Sequence, residues 1–237
     1  VLDDLRNNVI LDKVALPKRI LGGGGRVVWD DAGETPNVHF AYFDTGIVPV
    51  VIALTNLTAA PDSKKSPDRP GPGSGYVAYC EGGRFEGQRG KAAAFDNDGK
   101  VVKEFKGNSG GVLHQQNFLD AVRSRDSSIL NTDVSLGNDS TGWCNLANIA
   151  FRAGKPFCLA DAKQVRQGAE MWEGVLESMS GLLKAHGLVM ESDAIRLSPI
   201  LEIDAKSEQF VGEGAELANG FLKREYREGY AVPTMET

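Results

Sequence analysis

Histidine is the side chain best suited to move a proton near neutral pH, and this chain has three, His39, His114 and His186. His114 stands at the start of a helical pattern just after Gly110-Gly111. It either faces a pocket or caps local backbone, and it is the leading acid/base candidate within the chain. His39 sits mid-strand among apolar residues, where a hydrogen-bonded structural role is expected. The three histidines are too dispersed in sequence to read as a metal cluster. Glu34 and Asn37 lie in a turn and are able to hydrogen-bond the hydroxyls of a sugar, although turns use such residues in any case. Asp3, Asp4 and Arg6 fall on the first helical stretch, where a solvated helix end accounts for charged residues. Ser109 stands among glycines but lacks the strand–nucleophile–helix pattern of a hydrolase elbow.

These residues must be held by the elements around them. Leu2, Leu5 and Val9 recur at helical spacing over 1–12, and Pro17 stops the pattern. Four consecutive glycines, residues 22–25, interrupt the next strand. A dinucleotide fingerprint needs G-x-G-x-x-G after a strand and opening a helix. Here Val27 occupies the third glycine's place and a strand follows, so a bulge or a close backbone approach is expected instead. Over 37–44 the chain alternates, with Val38, Phe40 and Tyr42 on one face and His39, Ala41 and Phe43 on the other. Residues 50–57, 76–85, 91–95 and 101–105 read as further strands, with a hairpin turn at Asp96-Asn97-Asp98-Gly99. Residues 58–75 are rich in Pro, Gly, Ser and Lys and predict a long mobile loop. Helices are expected over 112–124, over 140–152 after a polar 138–141 cap, and over 163–186, closed by Gly187. Short strands return near 201–203 and 209–211. Strands followed by grouped helices indicate an α+β class.

Composition narrows the function. Apolar residues make up 41%, charged residues 24%, and the net charge is −6, the balance of a globular domain rather than a nucleic-acid binder with a basic face. No apolar run approaches the ~20 residues of a membrane span. Cys80, Cys144 and Cys158 are odd in number and widely spaced. They predict reduced, mostly buried structural thiols.

Several motifs occur in an order that resembles the C-terminal substrate domain of the Gfo/Idh/MocA oxidoreductases. They are Leu16-Pro17-Lys18-Arg19-Ile20, the Gly-rich strand, then Asp30-Asp31-x-Gly33-Glu34-Thr35-Pro36-Asn37. Strand 76–81, Asp96-Asn97-Asp98-Gly99-Lys100 and Glu104-Phe105-Lys106-Gly107 follow. So do His114-x-x-Asn117-Phe118-x-Asp120-Ala121-Val122-Arg123-Ser124, the run 148–155 and the tail Arg224-Glu225-Tyr226-Arg227-Glu228. The resemblance covers nearly the whole chain. No single motif is specific, but the ordered set is.

The resemblance implies a single α+β domain over 1–237, with a predominantly antiparallel open-faced sheet and helices on one face. This is the architecture of the C-terminal domain of glyceraldehyde-3-phosphate dehydrogenase. It implies the substrate half of an NAD(P)-dependent enzyme acting on a sugar, sugar acid or cyclitol. NAD or NADP would be held by a nucleotide-binding half not in this chain, with none bound here. It makes Asp3 the last residue of a His-x-x-Asp signature whose His would immediately precede Val1, and Arg6 a basic position of the same helix. A base within reach of the carbinol hydroxyl is what hydride removal requires, and a carboxylate behind an imidazole orients it. The open sheet face implies a homo-oligomer, and a cytoplasmic location is expected, with export of the parent enzyme left open. Two other readings stay open: a non-catalytic carbohydrate-binding or assembly module, and part of an NAD-dependent redox-neutral glycosidase. The chain's start inside a helical pattern favours a piece of an enzyme.

Overall fold

The computed structural model describes residues 14–108, 110–165 and 167–233. The stretch 1–12, with Asp3 and Arg6, lies outside them. Two antiparallel sheets and a set of helices make an α+β architecture, as the order of elements predicts.

The larger sheet has six strands. β1 (Arg19–Gly25) and β2 (Val38–Asp44) pair along their whole length, from Arg19 opposite Asp44 to Gly25 opposite Val38. β3 (Pro49–Thr55) extends the meander beyond β2. On the far side of β1 lie chain segments from the other end of the sequence, β8 (Arg196–Leu197) and β9 (Leu201–Asp204), with β10 (Gln209–Val211) beyond β9. Strands β8 and β9 share one edge of β1, interrupted where Ser198 reaches across. Its N–H donates to the Gly22 carbonyl at 2.9 Å, and its Oγ accepts from the Gly22 N–H at 3.1 Å.

Both faces of this sheet are covered, which corrects the expectation of helices on one face. Helix α2 (Val134–Ala153) lays Trp143, Leu146, Ala147 and Ala150 against Ile20, Ala41 and Phe43. Helix α4 (Ala169–Ala185) lays Trp172, Leu176, Met179 and Leu183 against Leu21, Val38, Phe40 and Tyr42. These spacings form one stripe on each helix, as a 3.6-residue period requires. The alternation along β2 feeds both cores, and Phe40 and Phe43 have no exposed surface. A sheet buried on two sides reads as apolar at every position rather than every second one.

The four glycines of β1 explain how α2 comes so close. A Cβ at Gly22 would stand 3.1 Å from that of Ala150, and one at Gly23 would lie 2.2 Å from the Arg196 carbonyl oxygen. Glycine below and alanine above thin the layer, so the close-packing reading of this run holds. His39 lies between β2 and α2. Its Nε2 donates to the Ala147 carbonyl at 3.2 Å, and its ring meets Phe151 edge-on. Burial pushes its pKa below the usual 6.5, partly offset by that hydrogen bond. The structural role expected for His39 is the one seen.

The smaller sheet is a local four-stranded meander, β4 (Gly75–Cys80), β5 (Gly83–Gln88), β6 (Lys91–Phe95) and β7 (Val101–Lys106). What the sequence suggested as one strand over 76–85 is a hairpin folded at Glu81-Gly82. Tyr76, Phe85 and Phe105 meet on one face, with ring centroids 6.2 and 5.8 Å apart. No described helix forms a core with this sheet, so it is the open-faced one. Helix α1 (Gly111–Ser124) follows it and packs against the short 3-10 turn Ser127–Ile129, with only Ala121 buried. The remaining helices, α3 (Leu159–Ala162) and α5 (Ala215–Asn219), are one turn each. Among the described residues no helix is long and apolar enough to cross a membrane.

Candidate functional site

The end of the six-stranded sheet where β1 leaves, β2 enters and β3 leaves carries the densest chemistry. Arg26 follows the last glycine of β1. Its Nε donates to Asp31 Oδ1 at 2.6 Å, its Nη2 also donates to that carboxylate, and its Nη1 donates to the Thr35 carbonyl at 3.0 Å. A bidentate guanidinium–carboxylate pair fixes direction as well as distance. The Arg26 hydrogen bond, followed by the Gly33 N–H, holds the Asp31 carboxyl below its usual range. Gly33 leaves room for the guanidinium, since a Cβ there would stand 2.2 Å from its central carbon and the arginine would have to shift.

Asn37 closes the base of the same loop. Its Oδ1 accepts from the Val27 N–H at 2.9 Å, and its Nδ2 donates to the Val27 carbonyl at 2.8 Å. The side chain has no exposed surface. That corrects the expectation of a substrate ligand: the amide is used on backbone, and a solute does not reach it. Between this clamp and the Arg26–Asp31 pair, Val28 is held at φ 72. A β-branched residue there is a genuine outlier, at a cost of about 1–3 kcal/mol that persists only where the surroundings over-determine it. The outcome is that Val28 and Trp29 face solvent, 52% and 43% exposed. The Arg26 guanidinium carbon lies 5.6 Å from the centre of the Trp29 ring. Asp30 and Glu34 are exposed beside them.

Chemically this is a flat apolar ring, a fixed cation and exposed carboxylates on one loop. Such a set can stack the C–H face of a polyol while accepting from its hydroxyls. Glu34 supplies one of the exposed carboxylates of this loop. Arg26 and Trp29 were not singled out by motif or spacing. The available signal was a tryptophan in an otherwise polar turn, where burial gives no reason for one.

The other expected site residues are not gathered here. His114 is exposed on α1, and its ring makes no hydrogen bond among the described residues. Asp3 and Arg6 lie outside the described residues. The glycine run does not fit a dinucleotide: it is a paired strand whose Gly22 N–H is taken by Ser198, and every strand pair among the described residues is antiparallel. Cys80, Cys144 and Cys158 are exposed and form no disulfide among the described residues, against the expectation of burial. Among the described residues no three His, Cys, Asp or Glu side chains come together to hold a metal ion.

A further recess lies elsewhere. It is a trough of about 320 Å³ on the polar face of the small sheet, between Glu86, Lys91, Glu104 and Lys106. Glu86 there is already paired with Arg84 at 2.7 Å. The sheet-end loop, with its strain and its exposed carboxylates, is the stronger site on chemistry. Comparison with family models, with curated proteins and with solved structures finds no match to this chain.

Proposed function

We propose that this chain is the substrate-binding and assembly domain of an NAD(P)-dependent oxidoreductase acting on a sugar, sugar acid or cyclitol, as the Gfo/Idh/MocA resemblance implies. The supporting observation is the 26–35 loop, where strain at Val28 presents Trp29 beside Arg26, Asp30 and Glu34. In this reading the indole takes the apolar face of the ring. Asp30 and Glu34 accept from its hydroxyls, and Arg26 keeps the loop closed. Hydride chemistry belongs to the cofactor held by a nucleotide-binding domain, and no step of it is assigned to the described residues. A second copy of the chain covers the aromatic face of the small sheet, and the assembly works in the cytoplasm.

Tryptophan fluorescence tests the sugar reading directly. Trp143 and Trp172 have no exposed surface, so a ligand that quenches emission reports on Trp29. Saturable quenching by gluconate, glucose or myo-inositol, lost in Trp29→Ala, is the expected result. No response to any of the three would remove the sugar reading. Calorimetry with NADH on the same chain is expected to show no binding, and uptake of NADH would overturn the division of labour between two domains.

The exposed His114, whose ring has no partner among the described residues, gives some support to the alternative of a binding module without catalysis. NADH formation from a polyol by the parent enzyme, absent in the module case, separates the two.

A further inference from the structure

Beside the candidate site, β3 runs into the loop 56–74, which holds nearly all of the 58–75 stretch whose sequence predicts mobility. The loop has neither strand nor helix, but it is pinned. The Ala59 N–H donates to the Lys65 carbonyl at 2.9 Å, the Thr58 hydroxyl to the Ala60 carbonyl at 2.9 Å, and the Lys65 N–H to Ser63 Oγ at 3.1 Å. From outside the loop, His186 Nε2 donates to the Thr58 carbonyl at 2.9 Å. Pro61, Pro67, Pro70 and Pro72 restrict the backbone further.

Within this frame lies a recess of about 210 Å³. Lys64, Lys65 and Arg69 line it, together with Asn56 and Ser66, and no carboxylate is among its lining residues. None of the three cations has an ion-pair partner among the described residues, although Arg69 is half-buried. In a chain of net charge −6, three unpaired cations converging on one concavity are a local reversal of sign. The side chains of Asn56 and Ser66 make no hydrogen bond with other described residues, so their donors are available too.

We infer that this recess is a binding site for a phosphate-type oxyanion. Guanidinium and ammonium groups that converge without carboxylates match the several acceptor oxygens of such an anion. The volume is below the ~300–1,000 Å³ of sites that enclose a whole drug-sized ligand, which suits a headgroup rather than a complete sugar. A proline-stiffened loop orders its cations before binding and so lowers the entropic cost of capture. The site stands independently of the sugar reading, although Asn56 links the two loops: its N–H donates to the Asn37 carbonyl at 3.0 Å.

The anion has two possible sources, free phosphate or the phosphate of a sugar ester. Titration of the chain with inorganic phosphate and with glucose 6-phosphate, followed by amide NMR shifts, tests the site and separates the sources. Saturable shifts confined to the 56–74 loop are expected, weakened about tenfold or more in Arg69→Gln and again in the Lys64→Gln/Lys65→Gln pair, since each lost charged hydrogen bond is worth that much. Tighter binding of glucose 6-phosphate assigns the site to a substrate headgroup, and equal binding assigns it to free phosphate. Linear, unsaturable shifts, or shifts of equal affinity in all three variants, would overturn the proposal. All three side chains lie outside both cores, so near-UV circular dichroism of the buried tryptophans checks folding. The Trp29 response to neutral sugars is unaffected by these changes, so failure here and failure of the sugar reading are distinguishable.

Discussion

In the six-stranded sheet Phe40 and Phe43 point to opposite faces, and neither keeps any exposed surface. In the four-stranded sheet Phe85 and Phe105 share one face, and Phe105 remains 40% exposed. Strands β1–β3, of seven residues each, and β4–β7, of five or six, are similar in length and all pair antiparallel. The difference is supplied by later sequence: α2 and α4 each bring a tryptophan and a stripe of aliphatic residues to the larger sheet, and nothing described forms a core with the smaller one. Antiparallel pairing makes a sheet, but only a second layer makes a core. The larger sheet carries its own stability, whereas the smaller one leaves an apolar face of the kind that marks an interface.

The contrast can be broken most directly at Trp172. It packs on Phe40 and Tyr42, and its Nε1 donates to the Ala162 carbonyl at 2.7 Å. Trp172→Ala is expected to cost about 3–5 kcal/mol in urea denaturation, as large cavities do. Phe105→Ala in the monomer should cost less than about 1 kcal/mol, as at half-exposed sites. Equal losses would show that the smaller sheet has a hidden core. Next in size is Gly23→Ala, where backbone occupies the space of the new methyl. A loss of about 1–3 kcal/mol is expected from overpacking, with none for Gly82→Ala, which faces open space.

Phe105→Glu sharpens the comparison from the other side. Thermal stability of the dilute monomer should hold, while self-association measured by light scattering weakens by about tenfold or more, as for a charge placed in an apolar interface. Loss of stability without loss of association would reject the open face as an interface.

The smallest effect concerns His39. Its folded pKa is depressed, so the unfolded chain binds the proton more readily, and stability rises with pH between the folded value and 6.5. Going from about pH 7.5 to about 5.5 should destabilise the protein modestly as histidine titrates. His39→Gln should flatten that part of the profile, read by urea midpoints.

Much of the larger sheet is legible in the residues. Alternation marks β2, and both of its faces are apolar, which in physical terms already announces burial on two sides. The start of α2 is less legible. Asp133 caps it by accepting from the Ser135 and Leu136 N–H groups at 2.8 and 3.1 Å, well before the polar run 138–141. Val134 is 88% exposed, so the first turn carries no apolar period to betray it. Of the site, Glu34 is legible as a polar turn residue. The burial of Asn37 is not, because the same amide serves a ligand or a backbone equally well until the chain's path is known. Nor is the presentation of Trp29, which depends on a backbone angle at Val28 that no residue type encodes.

The pairing of β1 also has a consequence in time. Arg19 meets Glu202 across 183 residues at 3.0 Å, so that edge of β1 stays open until residues 196–204 have been made. The meander from β4 to β7 needs only near neighbours and closes early, as local topology allows. During synthesis the Gly-rich strand, paired with β2 on one side, therefore waits with its other edge open as a template. A ribosome that stops before residue 196 releases a chain whose central strand still has one vacant edge, and aggregation rather than misfolded activity is the fate to look for in such fragments.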